Sequence, residues 1–198
     1  IAQDKGYIEG KEAGISYIKK IQGNLIIEIG YTINDYNSFG GFTVSQGPIT
    51  SDANGKITEY RGYGFSLQPY YESNPTIKTW YKVYPTIGLG NTVYAQSGLS
   101  ITKSINPTPR RIDVRLTVTR NHDINGNYIG NNVVWEYRGL KPTADYFAPD
   151  TTVLGWTVIP VSQPINKELN LDNNIDLKFV QGAGQYLRYA RIQSEQGL

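Results

Sequence analysis

The residues that could do chemistry in this 198-residue chain are few, and their scarcity is informative. It has one histidine, His122, and no cysteine. Cysteine nucleophiles, thiolate metal sites and disulfides are therefore excluded, and a serine would have a single imidazole to serve it. His122 lies in Asn121-His122-Asp123, and no serine elbow motif marks a nucleophile anywhere in the chain. The acids are scattered, and no two of them share an aromatic-lined motif of the kind glycoside hydrolysis would use. The sequence therefore reads as a non-enzyme with no catalytic residues.

Metal and aromatic chemistry remain. Asp123, Asn125 and Asn127 place oxygen ligands at alternate positions, as calcium loops do. Position 12 of such a loop would need a bidentate glutamate but holds Val134, with Glu136 two residues late. Turn formation is the competing use of the same side chains. No cofactor is expected, calcium being the one candidate. The densest aromatic group is Tyr70, Tyr71, Trp80, Tyr81 and Tyr84. Flat, rigid rings of this kind serve binding surfaces, sugar sites among them. The competing use is cross-strand packing, because a strand over 77–84 puts Trp80 and Tyr84 on one face and Tyr81 on the other.

These residues must be positioned by a β scaffold. Charged residues make up 18% of the chain, below the usual quarter, and 21 glycines and 16 tyrosines stand in their place. That composition suits strands joined by tight turns. The net charge of +2 is too balanced for a nucleic-acid-binding domain, and no nucleic acid partner is expected. No apolar run is long enough for a membrane helix, so no transmembrane segment is expected. Position 1 is Ile, not Met, which is expected of a processed or excised chain. No asparagine heads a glycosylation motif, since prolines block Asn74-Pro75-Thr76 and Asn106-Pro107-Thr108.

Strands are predicted over 25–33, 57–67, 77–84, 112–119, 133–137, 153–161, 175–181 and 186–192. Pro85 is expected to close the third. The clearest pattern is 112–119, where Ile112, Val114, Leu116 and Val118 share one face and Asp113, Arg115, Thr117 and Thr119 the other. Asn125-Gly126 is a strong turn signal that pairs Leu116–Arg120 with Val133–Tyr137 as one long hairpin. Residues 1–20 read as an extended or weakly helical arm, with Gly6, Gly10 and Gly14 permitting close approach of another element. Residues 21–198 read as one antiparallel β-sandwich or jelly roll, with a crossover or subdomain break near 105–110.

The leading functional expectation is a structural subunit of an extracellular assembly, either a surface filament or a virion component. Copies of itself would be the partner, joined by arm or strand exchange through Ile8, Ile15, Ile18 and Tyr189. The alternative is an adhesion or carbohydrate-binding module with an exposed aromatic platform and a cell-surface glycan or host receptor as partner. A β-rich pore-forming toxin is a third reading. All three place the chain outside the cell, at a cell surface or in a virion.

Overall fold

The computed structural model describes residues 13–33, 40–46, 49–53, 57–71, 79–90, 93–95, 99–103, 110–142, 155–161, 175–181 and 185–196. In chain order its strands are β1 (Ala13–Ile33), β2 (Gly40–Ser45), β3 (Thr50–Ser51), β4 (Ile57–Tyr71), β5 (Thr79–Gly90) and β6 (Val93–Ala95). They continue with β7 (Leu99–Lys103), β8 (Arg110–His122), β9 (Tyr128–Pro142), β10 (Thr157–Val158), β11 (Ile175–Gln181) and β12 (Gln185–Gln196). All pairings are antiparallel. Among the described residues no helix is long and apolar enough to cross a membrane.

Two sheets share one strand. The C-terminal half of β1 lies between β8 and β12, and β9 and β10 extend that first sheet. The N-terminal half of β1 pairs with β11, which leads to β2, β4 and β5 in the second sheet. The handover falls after Ile21, and Gly23 supports it with φ +89°, a conformation that side-chain-bearing residues resist. Residues 13–20, which the sequence assigned to an arm, are thus paired strand inside the second sheet; residues 1–12 lie outside the described residues.

The core follows from strand periodicity. Leu25, Ile27, Ile29 and Tyr31 on β1 stand directly opposite Val118, Leu116, Val114 and Ile112 on β8, and all eight are buried. From the second sheet come Phe42, Val44, Tyr63, Phe65, Leu67, Val83 and Ile87. Burying each such side chain stabilises the fold by about 1.5–3 kcal/mol. Polar links tie the layers together. Trp135 Nε1 donates to the Gly64 carbonyl at 2.9 Å, Asn131 Nδ2 donates to the Tyr63 hydroxyl at 3.0 Å, and Tyr31 Oη donates to the Gly41 carbonyl at 3.0 Å. The architecture is an antiparallel β-sandwich.

The expected hairpin forms, with Leu116 opposite Trp135 and Val118 opposite Val133, but Arg120 pairs with Asn131, outside the expected Val133–Tyr137 partner. Of the strand expected over 153–161, only Thr157–Val158 is strand among the described residues. Pro85, however, does not end its strand: β5 runs on to Gly90. Its far edge is divided between β7, which pairs with Thr79–Val83, and β6, which pairs with Thr86–Gly88. The proline falls in the gap between them, where a missing N–H costs no ladder bond.

Burial pushes the pKa of Tyr31, Tyr60 and Tyr63 upward. A phenol whose pKa is raised by folding contributes stability that is intact below its unfolded value, about 10, and is lost as the pH rises above it. The urea midpoint is therefore expected to hold steady to about pH 10 and then fall, each buried phenol adding about 1.4 kcal/mol per pH unit to the slope. Tyr63→Phe is expected to shallow that decline, and a flat midpoint up to pH 12 would contradict the assignment.

Candidate functional site

The outer face of the first sheet carries a set of charges aligned by strand register. Directly opposed residues form one row of alternating sign across four strands: Arg191 on β12, Glu28 on β1, Arg115 on β8 and Glu136 on β9. The neighbouring row is Tyr189, Gly30, Asp113 and Arg138 on the same strands, and on the other side lie Gln193, Ile26, Thr117 and Val134. Opposite charges set directly across a strand pair stabilise it by about 0.2–1 kcal/mol.

The contacts knit the rows together. Arg115 grips Glu136 with two bonds, Nε to Oε2 at 2.7 Å and Nη2 to Oε1 at 2.9 Å. Arg138 donates to Asp113 Oδ2 at 2.9 Å and to Glu28 Oε1 at 3.3 Å. Arg188 reaches Asp113 Oδ1 at 2.7 Å, and the Tyr189 hydroxyl donates to Glu28 Oε1 at 2.9 Å. Glu28 is only 8% exposed, so these donors are what make its burial tolerable.

The titration behaviour follows from these contacts. Burial, then the charge of Asp113 and the hydrogen bond to Glu28, push the Tyr189 phenol up, so it stays a donor. The bond to Glu136 pushes the Arg115 guanidinium up against the cost of its partial burial. For Arg138 burial opposes the charge, and the bonds to Asp113 and Tyr189 outweigh it.

Two local devices make the arrangement fit. Gly30 has no side chain where the Tyr189 ring lies; a Cβ there would overlap that ring and stand 2.9 Å from Asp113 Oδ1. The register of β12 against β1 shifts at the same point, a bulge that brings Arg188 and Tyr189 together to this face. Trp156, just before β10, lies against two guanidiniums, with Arg115 Cζ 4.2 Å and Arg138 Cζ 4.4 Å from its ring. It is half-buried, and each such contact is worth about 0.5–2 kcal/mol.

Beside this network is a polar pocket of about 210 Å³ lined by Ile26, Glu28, Arg115, Arg191 and Gln193. A second pocket of about 240 Å³ continues from it, sharing Ile26 and Gln193 and reaching Thr117, Thr119, Ser194 and Glu195. At that far end Glu195 accepts from Asn24 Nδ2 at 2.6 Å and pairs with Arg120.

The residues singled out from sequence fall elsewhere, with one exception. Tyr70 pairs with Trp80 and Tyr81 with Pro69 across β4 and β5, but the side chains of Tyr70, Tyr71, Trp80 and Tyr81 lie outside the described residues. Tyr84 is half-buried on β5. His122 is exposed at the base of the hairpin tip, edge-on to Tyr128. Asp123 spends its carboxylate on the turn. Oδ1 accepts from the amides of Asn125 at 2.9 Å and Asn127 at 2.8 Å, and Oδ2 accepts from Asn127 Nδ2 at 2.9 Å. The Asn127 side chain, followed by its backbone amide, holds the Asp123 carboxyl below its usual range. Of the oxygens proposed for calcium, those of Asp123 are thus directed at the loop's own donors.

Of the residues proposed for assembly, Ile15 and Ile18 lie in β1 and Ile8 lies outside the described residues. Over 25–33 β1 is paired on both edges by strands of its own chain. Tyr189 is the exception, because it belongs to the charged network.

Sequence reasoning missed Trp156, Glu28, Glu136, Arg138, Arg188 and Arg191. The signal was partly present. Once Asn125-Gly126 sets the hairpin register, the wet-face residues Asp113 and Arg115 fall opposite Arg138 and Glu136.

No protein-family model and no curated protein sequence matches the chain. Among solved structures it is similar to a legume lectin-like domain from Entamoeba histolytica, with 9% identity, a TM-score of 0.48, and 96% of this chain and 82% of that one covered. It is also similar to an ancestral congerin (9% identity, TM-score 0.39, 91% of this chain and 99% of that one). A congerin II double mutant is similar at 10% identity and a TM-score of 0.40, covering 92% of this chain and all of that one.

Gly30→Ala tests the packing of the site. The added methyl must displace the Tyr189 ring and so break its bond to Glu28. The expected cost is about 1–3 kcal/mol in chemical denaturation. Gly30→Ala with Tyr189→Ala should recover part of that loss, and an unchanged midpoint for the single variant would refute the packing described.

Proposed function

We propose that the chain is a non-catalytic carbohydrate-binding module acting outside the cell, and that the outer face of the first sheet is its binding face. One observation carries the reading: Trp156 lies on two fixed guanidiniums, one of which, Arg115, also walls a polar pocket with Glu28 and Arg191. Sugars present apolar C–H faces and a rim of hydroxyls. An aromatic ring meets the first, while planar donors and acceptors in fixed positions meet the second. Here the fixed positions come from strands rather than loops, which keeps the geometry within the tolerance a small polar ligand demands.

The face is better suited to holding than to reacting. Glu28, Asp113 and Glu136 already accept hydrogen bonds from guanidinium or phenol donors. The sole imidazole is on the exposed hairpin tip, in contact with Tyr128.

A glycan array probed with the purified chain, followed by calorimetry on the best ligand, tests the proposal. Trp156→Ala is expected to weaken binding at least tenfold while the circular dichroism spectrum stays unchanged. Full binding by that variant would move the site away from this face, and silence across the array for the wild-type chain would sink the reading itself.

A further inference from the structure

The charges of this face do not cancel, and the surplus has a definite place. Among the described residues four guanidiniums, Arg115, Arg138, Arg188 and Arg191, face three carboxylates, Glu28, Asp113 and Glu136. Three of the arginines are committed at hydrogen-bond distance and have side chains only 22–26% exposed. Arg191 differs on both counts. Its side chain is 65% exposed, and its contact is Glu28 Oε2 at 3.9 Å, beyond hydrogen-bond range. Glu28 in turn is already served by Arg138 and Tyr189. Arg191 therefore presents a planar fork of donors at the wall of the 210 Å³ pocket, which matches a carboxylate or sulfate bidentately.

The adjoining pocket gives this anion site a direction. Each pocket is smaller than the roughly 300–1,000 Å³ of a site for a drug-sized molecule, but the two share Ile26 and Gln193 and run together along β1 and β12. The far pocket is lined by Leu25, Ile26, Val118 and the threonines Thr117 and Thr119, and its end is marked by the carboxylate of Glu195. An acidic group is favoured at the Arg191 end, where the guanidinium is exposed, whereas at the far end the Arg120 guanidinium is already engaged by Glu195.

We infer that the groove from Arg191 to Glu195 is an extended site for an acidic oligosaccharide, with its anionic sugar at Arg191 and a neutral sugar lying over Ile26, Thr117 and Thr119. This rests on the carbohydrate-binding reading and adds ligand charge, length and orientation to it. Arg191 supplies the selectivity, and the apolar floor at Ile26 supplies sequence-independent contact. Because one exposed guanidinium carries the charge contact, the preference for acid weakens as salt rises.

The test is calorimetry on the full chain with a uronate-containing tetrasaccharide, the same tetrasaccharide with its carboxyls reduced to alcohols, the free uronic acid, and inorganic sulfate. The acidic tetrasaccharide is expected to bind at least tenfold more tightly than its reduced form. Arg191→Gln should abolish that difference by bringing the affinity for the acidic form down to that of the reduced one, and Thr119→Tyr should erase the advantage of the tetrasaccharide over the free uronic acid. Equal binding of acid and reduced forms by the wild-type chain would overturn the inference while leaving carbohydrate binding intact. So would sulfate or the free uronic acid binding as tightly as the tetrasaccharide, which would mark a simple anion site. Failure of every saccharide would remove both readings together, and loss of both tetrasaccharides in Trp156→Ala alone would separate the shared platform from the charge selectivity.

Discussion

Strand β1 is paired along both edges over 25–33, and that constraint organises the rest of the first sheet. With β8 on one side and β12 on the other, its side chains have only two directions available, and they alternate. Leu25, Ile27, Ile29 and Tyr31 take the inner face and are at most 1% exposed. Ile26, Glu28 and Gly30 must then take the outer face. A register slip of one residue would drive Glu28 into the core and expose the apolar series, so the pairing is fixed by a large penalty.

Glu28 is the consequence for the outer face. Central in a five-stranded layer, it is nearly buried even on the outer face, and a buried carboxylate without partners is expensive. Arg115 and Arg191 flank it in register, Arg138 reaches it from β9, and Tyr189 donates to it from β12. Arginine suits these roles where lysine would not, because its planar head can bond a carboxylate edge-on while its face lies against the Trp156 ring. The network therefore arrives preassembled, and Arg191, which meets Glu28 only at 3.9 Å, borders open space.

Turn chemistry explains the other polar concentrations. Asp123, Asn125 and Asn127 have the alternation of a cation loop, yet in the folded hairpin the aspartate oxygens meet amide donors within the same few residues. Oxygen-rich turns and oxygen-ligand sites share a residue vocabulary, and only the direction of the oxygens separates them.

Local alternation by itself determined the fold class and the facing of residues on the strands it marked, but not the first half of β1, whose residues 13–20 read as an arm. The series Ile112, Val114, Leu116 and Val118 could be assigned to one face because neighbouring residues on a strand must point to opposite sides. Asn125-Gly126 likewise marked β8 and β9 as one hairpin, since Asn-Gly suits a tight turn. The short strands β2, β3, β6 and β7 escaped, being too brief or too glycine-rich to show a period. The charged outer face was settled only by tertiary structure. Its members come from β1, β8, β9, β12 and the segment before β10, and nothing in local periodicity says which strands will be neighbours. Alternation states that Glu28, Arg115 and Arg191 point outward; long-range pairing alone puts them in one row, bends β12 at Gly30 to admit Tyr189, and brings Trp156 onto two arginines.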